Sequence, residues 1–111
     1  MSRIIQERHE LADFLKSNDR VFVLFYASWC PFSLAFLPVY EKHAGRGGPP
    51  FARMTLDGNE DLFDEHAVDV YPTVIFFKAG KAHKRLDGKH LSGLKEKELT
   101  QLIASCGVDK D

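Results

Sequence analysis

Residues 21–27, VFVLFYA, form an unbroken apolar run rich in β-branched and aromatic side chains. With no polar alternation, such a run predicts a strand buried on both faces, the central position in an α/β sheet. Before it, HELADFLKS sets Leu11, Phe14 and Leu15 at spacings of three and four, the pattern of a short amphipathic helix. Asn18, Asp19 and Arg20 turn the chain between the two. After it, Pro31 suits a first helical position, where a missing N–H costs nothing. A helix is therefore predicted from Pro31 to about Ala44, with Cys30 as its N-cap. Pro38 falls inside that helix and predicts a kink near Leu34–Pro38.

The rest of the chain continues the alternation. GRGGPP (45–50) is a loop; no lysine-serine pair follows its glycines, so it does not read as a phosphate cradle. FARMTLD (51–57) alternates as a strand, and NEDLFDEHAV (59–68) reads as a short helix whose acidic first turn favours its dipole. TVIFFKAG (73–80) is a strand, with AHKRLDG (82–88) as its hairpin partner through AGK. KEKELTQLIASCG closes the chain as a helix with Leu99, Leu102, Ile103 and Cys106 on its apolar face and Gly107 as C-cap. A short first strand fits residues 3–6. Strands separated by helices run parallel through right-handed crossovers, and the last hairpin is antiparallel. The fold class is α/β: a central mixed four- to five-stranded sheet flanked by helices on both faces.

Composition narrows the function. The 111 residues fit one domain spanning 1–111, large enough to bury a core without staples. Fifteen basic and sixteen acidic residues leave a net charge of −1 with no basic stripe, so a nucleic-acid partner is not expected. The longest apolar runs fall far short of the roughly 20 residues a bilayer crossing needs, and no membrane partner is expected. MSRIIQERHELADF has no apolar leader region, which makes a cytoplasmic location the default expectation; a monomer is also expected. The five histidines lack zinc spacing and read as surface groups. Asp57, Asn59 and Asp61 have the opening of a calcium loop, but Leu62 and Val68 stand where glycine and glutamate are needed. No metal and no cofactor is expected.

Two cysteines make no disulfide framework, so each is judged alone. Cys106 reads as a small buried hydrophobe. Cys30 differs. It lies at the carboxyl end of a buried strand, where open α/β sheets put their sites, and at a helix N-terminus, whose amides and dipole favour a thiolate. The thiolate is the species that attacks a disulfide. The apolar surroundings oppose ionisation, since residues 28–40 carry no charge, and the balance favours a thiol appreciably ionised near neutral pH. Ser33, at the third helical position, is placed to donate a hydrogen bond to that thiolate. Serine cannot form a disulfide.

Three segments in order carry a family resemblance. FYASWCPFS resembles the strand–Trp-Cys-x-x-Cys–helix signature of the thioredoxin family, Pro38 is similar to that family's helix-kink proline eight residues past the cysteine, and VYPTVIFFKAG resembles its cis-proline segment. The resemblance covers about residues 4–106 and implies a thioredoxin fold with Pro72 in cis. It implies a catalytic role for Cys30, beside which Ser33 is the second candidate catalytic residue, and a substrate groove lined by Trp29, Pro31, Phe32, Tyr71 and Pro72. In that groove an extended hydrophobic peptide pairs with the backbone of Tyr71.

Two departures shape the expected chemistry. Ser33 replaces the second motif cysteine. Leu24, six residues before Cys30, replaces the buried aspartate that in this family assists the resolving thiol, and Arg53 stands where a lysine is usual. The function implied is a monothiol thioredoxin-like protein, forming mixed disulfides through Cys30 with protein thiols or disulfides or with glutathione. Two alternatives stand beside it. One is a non-catalytic peptide-binding module. The other is a glutaredoxin-like protein binding glutathione or an iron–sulfur cluster, suggested by the Cys-x-x-Ser motif.

Overall fold

A computed structural model describes residues 2–89 and 93–106. Its elements follow in chain order: β1 (Arg3–Ile4), α1 (Arg8–Ser17), β2 (Arg20–Tyr26), α2 (Pro31–Ala44), β3 (Phe51–Thr55), α3 (Glu60–Glu65), β4 (Thr73–Lys78), β5 (Lys81–Asp87) and α4 (Glu96–Ser105). The five strands form one sheet in the order β1-β3-β2-β4-β5. β3 pairs in parallel with both β1 and β2, while β4 is antiparallel to β2 and to β5. The apolar run therefore lies at the centre of the sheet.

Strand periodicity sorts the core into two halves. Val21, Val23 and Phe25 point to one face, where Leu11 and Phe14 of α1 and Leu62 and Phe63 of α3 cover them. Phe22, Leu24 and Tyr26 point to the other, beneath Phe36 and Tyr40 of α2 and Leu99 and Leu102 of α4. Burying a large apolar side chain contributes about 1.5–3 kcal/mol, so the continuous run in β2 anchors both layers at once. The tyrosine hydroxyl of Tyr40, fully buried, donates to the carbonyl of Ala52 at 2.7 Å and ties α2 to β3.

Helix starts follow their local chemistry. Glu10 accepts the Glu7 N–H at 3.1 Å, and Glu98 accepts that of Lys95 at 3.1 Å, each carboxylate reaching back to cap a donor left free at a helix start. α2 begins at Pro31 and continues through Pro38. At the hairpin, Ala79 and Gly80 both take positive φ, +53° and +79°, as a tight two-residue turn requires.

Some expectations need correction. His43 is buried, not a surface group: α4 crosses the last turn of α2, and the His43 Nε2 meets Glu96 Oε2 at 3.0 Å while Lys42 pairs with the same carboxylate. His66 is half-buried, its ring tilted against Phe25 and edge-on to Phe77. Cys106 is only partly covered and itself caps α4. α3 is shorter than the acidic segment suggested, ending at Glu65. His90 and Gly107 lie outside the described residues.

Candidate functional site

β2 ends at Tyr26, and α2 starts five residues later. The short turn between them carries the site. Cys30 is the N-cap of α2, with extended backbone (φ −88°, ψ 121°). Its N–H donates to the Ala27 carbonyl at 3.1 Å, and its own carbonyl accepts the Leu34 N–H at 3.0 Å. Both bonds fix the thiol at the positive end of the helix, whose free amides attract negative charge.

Across from it, the Tyr71–Pro72 peptide is cis. The Cys30 sulfur stands 4.0 Å from the Tyr71 carbonyl oxygen. Trp29 packs edge-on against the Tyr71 ring, centroids 6.1 Å apart. Tyr71, distant in sequence, thus shares one edge of the molecule with Trp29 and Cys30, with buried Pro72 behind them. Pro31 is exposed at the first turn of α2. Burial, followed by the charges of Asp64, Asp69 and Cys30, raises the Tyr71 phenol above its ordinary value.

The two motif positions differ sharply. Cys30 retains 8% exposure and Ser33 none. The Ser33 hydroxyl accepts the Ala27 N–H at 3.3 Å; it makes no hydrogen bond with Cys30 among the described residues. Ser33 thereby satisfies a backbone donor in the turn that presents the thiol. Beneath it, Leu24 is fully buried, and its register partner is Arg53. The Arg53 Nε is buried without a hydrogen-bond partner among the described residues.

Apolar surface surrounds the thiol. Trp29 is 64% exposed, Leu34 51% and Phe32 36%. Single exposed apolar side chains are ordinary, but these three lie close together in the chain about a cysteine.

Sequence reasoning missed four participants. Gly88 and Gly93 wall the site: a β-carbon at Gly88 would meet the Pro72 carbonyl at 2.6 Å, and one at Gly93 would meet Cβ of Phe32 at 2.7 Å. The glycines themselves were the available signal. The other two are Ser28, which donates to Asp57 at 2.7 Å, and Asp57, which thus braces the turn from the β3–α3 loop. Cys106 belongs to the far end of α4; burial pushes its thiol above the ordinary range. Among the described residues no cluster of histidine, cysteine and carboxylate groups could hold a metal ion, and no helix is long and apolar enough to cross a membrane.

Comparison with known proteins agrees with this geometry. A family model described as Thioredoxin matches residues 3–105. A thioredoxin-like protein of Fusarium culmorum is 36% identical over 81 residues, covering 69% of this chain and 67% of its own. A probable protein disulfide-isomerase A4 of Caenorhabditis elegans is 36% identical over 75 residues, 68% of this chain but only 12% of its own length. Among solved structures, a mutant thioredoxin from Halobacterium salinarum superposes with a TM-score of 0.82 at 30% identity, covering 94% of this chain and 88% of its own.

Proposed function

The chain belongs to the thioredoxin family and has its fold, and from that premise we propose that it performs thiol–disulfide exchange by a monothiol mechanism at Cys30. The Cys30 thiolate attacks one sulfur of a partner disulfide. A Cys30–partner disulfide forms, the partner's S–S bond breaks, and its second sulfur leaves as a thiolate. In a dithiol site the second cysteine would then attack Cys30 and release the partner. Here Ser33 has no sulfur to do so. A thiol from outside, either glutathione or the thiol just freed on the partner, attacks the mixed disulfide and restores Cys30. The loss of the acid at position 24 fits the same chemistry, because no resolving thiol needs its proton removed.

What supports the reading most is the placement of one thiol at a helix N-terminus, 4.0 Å from the Tyr71 carbonyl, with a buried serine behind it. An extended partner segment would lie along that backbone edge in the manner of strand addition, its apolar side chains on Trp29, Phe32 and Tyr71.

Insulin reduction coupled to thioredoxin reductase tests the proposal. The chain as it stands should give little turnover, and Ser33→Cys should raise it. Sustained turnover by the unaltered chain would refute the monothiol mechanism. A binding role independent of chemistry is favoured by the exposed apolar rim; partner capture that survives Cys30→Ala would show it.

A further inference from the structure

Three carboxylates border the groove, and each is placed by a different group of the site. Asp57 accepts the Ser28 hydroxyl at 2.7 Å, beside Trp29. Asp64 follows Phe63, whose ring lies 6.0 Å from that of Tyr71. Asp69 is two residues before Tyr71. Asp57, Asp64 and Asp69 are all exposed. The neighbouring cations are engaged elsewhere: Arg8 pairs with Glu65, and Arg85 pairs with Asp87 while donating to the carbonyls of His66 and Ala67. None of the ion pairs among the described residues uses Asp57, Asp64 or Asp69. On the opposite wall, Lys89 is matched by Glu98 at 3.4 Å. The α3 side of the groove is therefore negative, while the exposed side chains beside Cys30 are apolar.

We infer that this groove selects cysteine-containing protein segments with apolar residues beside the cysteine and Lys or Arg on the flank that runs past α3. The inference rests on the exchange reading above. Trp29, Phe32 and Tyr71 take the apolar part, and Asp57, Asp64 and Asp69 attract the basic flank. Rim charges act chiefly on encounter rate and partner choice, through complementary potential. Burial first, and after it the charges of Asp64 and Asp69, raise the Tyr71 phenol, in keeping with both carboxylates standing beside the groove. The same carboxylates disfavour oxidised glutathione, which carries net negative charge at neutral pH.

Three synthetic peptides test this, alike in an apolar segment around one cysteine and differing in a flank of lysines, glutamines or glutamates. Each cysteine is held as a mixed disulfide with 5-thio-2-nitrobenzoate. Attack by Cys30 on the peptide sulfur forms the Cys30–peptide disulfide and releases the coloured aromatic thiolate. Rates are divided by those with 2-mercaptoethanol, which removes the peptides' intrinsic differences. The expected ratio of lysine to glutamate peptide is roughly five-fold or more at low salt, falling toward one near 1 M salt, where the screening length is about 3 Å. Asp64→Asn with Asp69→Asn should shrink the ratio. Equal normalised rates for all three peptides, or a ratio unmoved by the double variant, would overturn the preference and leave exchange standing. Release from no peptide would sink exchange and the preference together.

Discussion

A β-carbon built on Gly93 would lie 2.7 Å from Cβ of Phe32 and 3.2 Å from its Cγ, at a backbone φ of +67°. The segment leading into α4 thus presses directly on the first turn of α2. The Phe32 Cβ is fixed to the helix and cannot swing aside as a flexible side-chain tip could.

Gly93→Ala should therefore destabilise the protein by about 1–3 kcal/mol, from left-handed backbone strain and overpacking together. Urea unfolding would measure it. The same variant should disturb the Cys30 turn and slow disulfide exchange. An alanine accepted at no cost would mean that the two segments do not touch in solution.

Arg53→Met should be neutral or stabilising, by up to about 1 kcal/mol, because it removes a buried donor that has no partner and keeps the apolar stem. The side chain of its register partner Leu24 has no polar atom for that Nε to bond. A thermal midpoint that falls on this substitution would show that the guanidinium does structural work which its contacts do not reveal.

His66 sets a pH dependence. Burial, with Arg85 and Arg8 adding to it against Glu65, pushes its imidazole below the usual value of 6.5. In the unfolded chain the ring takes up a proton near pH 6.5, while in the folded chain it resists doing so. Its contribution to stability is complete above that pH and declines as pH falls below it, until the folded ring is protonated too. The thermal midpoint should drop on acidification from about pH 7 to about pH 5.5, and His66→Phe should flatten that drop. An identical slope in the variant would remove His66 as the cause.

Local patterns foretold the elements well because each depends on near neighbours. The run 21–27 became a strand buried on both faces because it lacks polar positions, and Pro31 marked the start of α2 because its ring suits only that end. Long-range contacts were not legible in the same way. His43 has a solvent-like composition around it, yet the crossing of α4 brings Glu96 over it and buries the ring. Asp57 stands out in the sequence only as the opening of a calcium loop that does not complete, yet it holds Ser28 beside the thiol. Ser33 reads as a donor to Cys30, whereas in the fold its oxygen is the acceptor for the Ala27 N–H. The site was visible as a motif; its walls at Gly88 and Gly93 depend on how the chain returns after β5.

The most direct measurement of the central claim is a single turnover followed by mass. Reduced protein is mixed with a small excess of a peptide whose one cysteine is held as a mixed disulfide with 5-thio-2-nitrobenzoate, so that the thiolate set free is a weak nucleophile. Samples are quenched in acid at intervals and weighed intact. A one-to-one peptide adduct, mapped to Cys30, should form, persist until glutathione is added and then disappear. An adduct that never forms, or one that resolves itself before glutathione is supplied, would contradict the monothiol mechanism.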